Sequence, residues 1–155
     1  MIGPTLVHML EVWPQDELSV YIGCYRNDAA TMASVIAATR GDPRVRLVVH
    51  GRDGPTSKAD CLNRMYGALA EDERREGIEA RMVVLHDAED MVDPAALRLL
   101  DHALWDAHFV QLPVLALPQP QSRWIASHYS DEFAEAHGKA LVVRDALGAG
   151  IPGAG

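Results

Sequence analysis

Cysteine is scarce in this sequence: two in 155 residues, Cys24 and Cys61, with no Cys-x-x-Cys pair. That excludes a disulfide framework and a thiolate zinc cluster, and it leaves two reduced, buried thiols of a cytosolic protein as the expectation. Long apolar runs are missing as well. No stretch of about 18 apolar residues is present that would span a bilayer. Positive charge is in the minority: 14 Lys and Arg stand against 22 Asp and Glu, a net charge of -8. A broad nucleic-acid or anionic-membrane surface is therefore excluded, whereas a local phosphate site is not. The 7 histidines show no His-Glu-x-x-His or other zinc spacing. There is no Gly-x-Ser-x-Gly elbow. Gly54-Pro-Thr-Ser-Lys58 lacks the spacing of a P-loop.

What is present suits one globular domain. The chain is 48% hydrophobic and 23% charged, and its length suffices for a single core. Pro4-Thr5 followed by Leu6, Met9, Leu10 and Trp13 reads as a short amphipathic helix. Leu18 to Cys24 reads as a strand, and Asn27 or Asp28 caps a helix carrying Met32, Val35 and Ile36 that stops at Gly41-Asp-Pro43. Val45 to His50 is the next strand. Ser57 then caps a helix with Leu62, Met65, Tyr66 and Leu69 inward and Asp60 three residues past the cap. This alternation implies a parallel α/β sheet. Glu71 to Glu76 is a charge run, expected to be a solvated helix end and surface loop.

The most informative stretch is Arg81-Met-Val-Val-Leu-His-Asp-Ala-Glu-Asp90. Met82 to His86 is an apolar, β-favouring run, and Asp87, Glu89 and Asp90 follow it at once. Open α/β sheets bind ligands beyond the carboxyl ends of their strands. Clustered carboxylates repel unless a cation sits among them, and hard oxygen ligands suit Mg²⁺ or Mn²⁺. Asp90 equally suits a turn, and Asp93-Pro94 suits a helix start over Ala95 to Trp105. Lys58 falls in the first turn of its helix. The dipole disfavours a cation there unless the cation shares an anion with the helix N-terminus. Further on, Phe109 to Leu112 reads as a short strand running on to Leu117, Pro118 to Gln121 as a loop, and Arg123 to Leu147 as mostly helical with Gly148 as its C-cap. Trp124, Ile125, Tyr129, Phe133 and Ala136 share one stripe of that helical stretch.

Four segments, in order, resemble the inverting glycosyltransferases of family 2, which have the GT-A fold. Within that family they are similar to the glycosyltransferase domain of phage N4 adsorption-type membrane proteins. The segments are Tyr21-Ile-Gly-Cys-Tyr-Arg-Asn-Asp-Ala-Ala-Thr31, Gly54-Pro-Thr-Ser-Lys-Ala-Asp-Cys-Leu-Asn63, His86-Asp-Ala-Glu-Asp-Met-Val-Asp-Pro94, and Phe109-Val-Gln-Leu-Pro113 with Asp131-Glu-Phe-Ala-Glu135 and the Gly-Ile-Pro-Gly-Ala-Gly tail.

The resemblance implies a three-layer α/β/α sandwich with a mostly parallel, Rossmann-like sheet. It implies that Asp87 and Glu89, with Asp90 assisting, hold Mg²⁺ or Mn²⁺ against the diphosphate of a nucleotide-sugar donor, expected to be a UDP-sugar. Asp28, Lys58, Asn63 and Asp87 would line the nucleotide side. Cys24-Tyr25 replaces the paired Asp usual at that strand end, which leaves the base unspecified. The other implied partner is a glycan acceptor, with sugar transfer at the cytoplasmic face of the inner membrane in the parent protein; the membrane would be reached only through parts outside this chain. Residues 1–155 are expected to be a partial domain, with the family's first strand and its catalytic-base segment lying outside. Two rival readings use the same residues: a non-catalytic α/β module that binds a nucleotide or protein, and a metal-dependent phosphohydrolase.

Overall fold

The computed structural model describes residues 2–115 and 134–149. They fall into two compact units, residues 1–97 and 98–155. The first unit runs helix α1 (Ile2–Val12), strand β1 (Val20–Tyr25), helix α2 (Ala29–Thr39), strand β2 (Val45–His50) and helix α3 (Lys58–Glu76). The strands are parallel, in register from Val20 opposite Val45 to Tyr25 opposite His50. Their alternating side chains divide the unit into layers. Ile22 and Cys24 enter a core with Leu6 of α1 and Val35 of α2. Tyr21, Gly23 and Tyr25 serve the opposite face, under α3. Gly23 gives Met65 room there: a Cβ would lie 3.2 Å from its sulfur, and the methionine would have to shift by a few tenths of an ångström. The Tyr21 hydroxyl donates to Asp72 at 2.9 Å, and burial, with Asp72 second, pushes its pKa up to about 12. This is the three-layer α/β/α arrangement expected.

The helix boundaries follow local chemistry. Asp28 caps α2 by accepting from the Thr31 N–H, and Ser57 caps α3 by accepting from the Asp60 N–H. The charge run 71–76 is helix to its last residue, and Gly77 ends α3 in the left-handed conformation. One run member, Asp72, has a side chain only 15% exposed, so that face is not wholly solvated. Tyr66, expected inward, is 67% exposed. Arg44 closes the end of α1, donating to the Leu10 and Trp13 carbonyls while paired with Asp42. That pairing holds the Asp42 carboxyl down to about 2.

Two expected strands are not formed. Met82–His86 is irregular backbone without ladder pairing, although burial alternates from Met82 to Leu85 as in a strand. Phe109–Leu112 is also unpaired. Among the described residues the sheet has two strands, β1 and β2. A strand is completed by a neighbour's backbone groups, and an apolar run cannot supply those by itself.

Helix α4 (Ala96–Ala103) has its first two residues in the first unit and the rest in the second, and it is shorter than the 95–105 expected. A π-helical turn, Ala136–Ala140, continues into α5 (Leu141–Ala146), and Gly148 follows at φ 65°. The expected loop at 118–121, the stripe of Trp124, Ile125, Tyr129 and Phe133, and the glycine-rich tail beyond Ala149 lie outside the described residues. Among the described residues no helix is long and apolar enough to cross a membrane.

Candidate functional site

The acids after Leu85 form a tight turn. The Asp90 N–H donates to the Asp87 carbonyl at 3.1 Å, and the Asp87 N–H donates to Asp90 Oδ2 at 2.9 Å. Asp90 thus closes the turn with both backbone and side chain, as short acids do. His86, just before it, lays its ring against Trp13, with centroids 5.7 Å apart. Burial there holds the imidazole below its ordinary pKa; Asp90 and Asp87 pull upward and lose.

Helix α1 and the residue that follows it hold the far end of the turn. His8 Nε2 donates to the Val92 carbonyl at 2.9 Å, and Trp13 Nε1 donates to the Asp93 carbonyl at 3.0 Å. Trp13 is only 2% exposed, so this indole anchors the acidic segment from within the core. Asp93 Oδ1 accepts from the Ala95 N–H at 2.7 Å, the helix-start duty expected of it.

The near side meets α3. Lys58, the first residue of that helix, places Nζ 2.7 Å from Asp87 Oδ1, and both side chains are about half exposed. The hydrogen bond to Asp87 raises the lysine pKa, with lesser pulls from Asp90 and Glu89. Two residues 29 positions apart, each weak evidence alone, are therefore brought into contact. Glu89 is exposed and makes no hydrogen bond or ion pair among the described residues.

The other expected site residues have other employment. Asp28 spends its carboxylate on Thr31, accepting from the backbone N–H at 3.0 Å and the hydroxyl at 2.7 Å; the hydroxyl contact leads in holding its pKa low. Asn63 does not join the Lys58–Asp87 contact. It lines an open depression of about 360 Å³ with His50, Gly51, Arg52, Asp60 and Arg64. There the Arg52 N–H donates to His50 Nδ1, so Nε2 carries the proton and faces Asp60 Oδ2 at 3.2 Å. Asp60 also pairs with Arg52, and so does not close a capping box.

No group of three or more His, Cys, Asp or Glu among the described residues is arranged as a protein-only metal cage. That is compatible with Mg²⁺, which keeps waters and binds through one or two carboxylates plus substrate phosphates. Asp87 and Glu89 fit such a donor set, while Asp90 is committed to the turn.

Sequence reasoning missed His8 and Trp13, whose partners lie 84 and 80 residues away. Nothing in a single sequence signals a side chain reaching a distant carbonyl. It also missed the work done by Tyr25, although strand alternation placed that residue on the face opposite Cys24.

Comparisons with known proteins identify the family of the chain. A family model described as "Glycosyltransferase like family 2" matches residues 1–155. The chain is 38% identical over 136 residues to the Bacteriophage adsorption protein B of Escherichia coli (strain K12), covering 88% of this chain and 18% of that protein. The Bacteriophage N4 adsorption protein B of Escherichia coli O157:H7 matches with the same identity and coverage. The chain thus spans 18% of the length of the curated relatives it matches. No solved structure matches it significantly. With a family model matched along its whole length and an α/β first unit, the chain belongs to the family 2-like glycosyltransferases and has their GT-A type of fold.

Proposed function

We propose that this domain binds the nucleoside-diphosphate part of a sugar donor at the Lys58–Asp87 contact, as part of an inverting glycosyltransferase. One observation carries the reading: the 2.7 Å ion pair joins the N-terminus of α3 to the acidic turn. Uncompensated helix N–H groups and a lysine together favour an anion. Asp87 and Glu89 next to them supply hard oxygens for Mg²⁺ or Mn²⁺. A bound divalent ion would offset the charge that develops on the departing nucleoside diphosphate. Lys58 orients the phosphates from the helix side. Asn63 and Asp60 lie on the same helix, and with Arg52 of the preceding loop they supply polar groups to the nucleoside. Inversion also needs a base that takes the acceptor hydroxyl proton. We assign that base, and the glycan acceptor site, to parts of the parent protein beyond these residues. Membrane attachment on the cytoplasmic side belongs there too.

The test is calorimetric titration of UDP with Mn²⁺ and again with EDTA, on this chain and on a longer one from the same parent. Metal-dependent binding is expected, with Asp87→Asn abolishing the metal effect. Lys58→Gln should weaken UDP roughly tenfold or more, the scale of one charge-assisted hydrogen bond. Absence of UDP binding to either chain would favour a non-catalytic module instead.

A further inference from the structure

Three consecutive residues at the end of β1 grip the loop that delivers Lys58. Arg26 Nε pairs with Asp53 Oδ1 at 2.6 Å. Asn27 bonds Gly54 in both directions: Nδ2 donates to the Gly54 carbonyl at 3.1 Å, and Oδ1 accepts from the Gly54 N–H at 2.9 Å. Tyr25 does the most. Its hydroxyl accepts from the Thr56 N–H at 3.0 Å and from the Cys61 thiol at 2.9 Å, and it lies 3.0 Å from Thr56 Oγ1, to which it can donate. A phenol has one donor and two acceptor positions, so this hydroxyl is fully used. Its ring covers Gly54 so closely that a Cβ there would lie 2.4 Å from Cδ2.

These contacts bracket the start of α3. Thr56 precedes the Ser57 cap, and Cys61 lies in the first turn beyond it, where its N–H donates to the Ser57 carbonyl at 3.2 Å. A single hydroxyl therefore ties down both the approach to the helix and its first turn. Lys58 lies between the two tethers.

We infer that Tyr25 is the positioning residue of the site: through Thr56 and Cys61 it fixes the N-terminus of α3 so that Lys58 meets Asp87. The inference rests on reading that pair as the donor site, but its structural content is independent of any ligand. With its hydroxyl fully engaged, Tyr25 acts on the donor through Lys58 and does not read the nucleotide base.

The chain has two lysines, Lys58 and the exposed Lys139, so competitive acetylation can test this without a ligand. Limiting acetic anhydride is added to the native chain, and the Lys58-to-Lys139 ratio is read by mass spectrometry. Asp87→Asn defines full release of Lys58. Tyr25→Phe keeps the ring over Gly54 and removes only the hydroxyl. It should raise the ratio about three- to tenfold, the fold-change equivalent of one net hydrogen bond. Asn27→Ala should raise it in the same direction with the tyrosine intact, and it serves as the readout if Tyr25→Phe does not fold. A purely structural role would lower the melting temperature without moving the ratio. The inference is overturned if Asp87→Asn releases Lys58 while the folded Tyr25→Phe and Asn27→Ala proteins stay at the wild-type ratio. It is also overturned if Asp87→Asn itself changes nothing. Release by Tyr25→Phe in a chain that never binds UDP upholds the positioning role and places the failure in the donor reading.

Discussion

His86 shows how one residue's surroundings set its chemistry. Its side chain is 29% exposed and rests on the buried Trp13 indole, which disfavours the charged imidazolium. The folded state therefore holds this proton less tightly than the unfolded chain, whose histidine titrates at about 6.5. A depressed folded pKa contributes stability that is complete above the unfolded value and is lost as pH falls through the folded one. The urea midpoint should accordingly drop between pH 7.5 and 5.5. His86→Gln should flatten that drop, and an equal drop in the variant would assign the acid sensitivity elsewhere. The Asp87–Asp90 acids, read from the sequence as one ligand group, divide here by residue. Asp87 faces Lys58, Glu89 faces solvent, and Asp90 closes the turn. Sequence spacing supplied the cluster, but only the backbone path separates those duties.

Among the elements, α1 matters most to the acidic turn, since its His8 and Trp13 just past its end hold the carbonyls of Val92 and Asp93. Trp13→Phe removes the indole N–H and leaves a ring, at an expected cost of about 1 kcal/mol in a urea melt. Trp13→Ala also leaves a cavity and should cost about 3–5 kcal/mol. Equal costs for the two would mean that the hydrogen bond, and not the packing, is what anchors the segment. The elements β1, α2, β2 and α3 were legible in the sequence because apolar period, caps and glycine stops agreed within each one. Met82–His86 and Phe109–Leu112 were not, because their apolar runs say nothing about whether a neighbouring backbone is there to pair with them. Asp28 was legible as the cap of α2, which it is; an acid at a strand end and an acid at a helix start are the same residue when the turn between them is short.

At the scale of the whole molecule, every candidate site residue falls within the first unit, residues 1–97. Protection there should be uneven. Amides bonded between β1 and β2 should exchange slowly with deuterium, while those of Met82–Leu85 should exchange quickly despite their apolar side chains. Slow exchange at 82–85 would show that this run does find a partner in solution. The net charge of -8 bears on the site as well. On the proposed donor reading, cations have to be concentrated where the diphosphate lands, and Lys58 is one of only two lysines available. The contact of the Tyr25 ring with Gly54 also has a consequence for descent. A side chain at position 54 would collide with the ring, and a smaller residue at position 25 would leave the loop loose. Neither position can drift alone, so related chains that differ at one should differ at both.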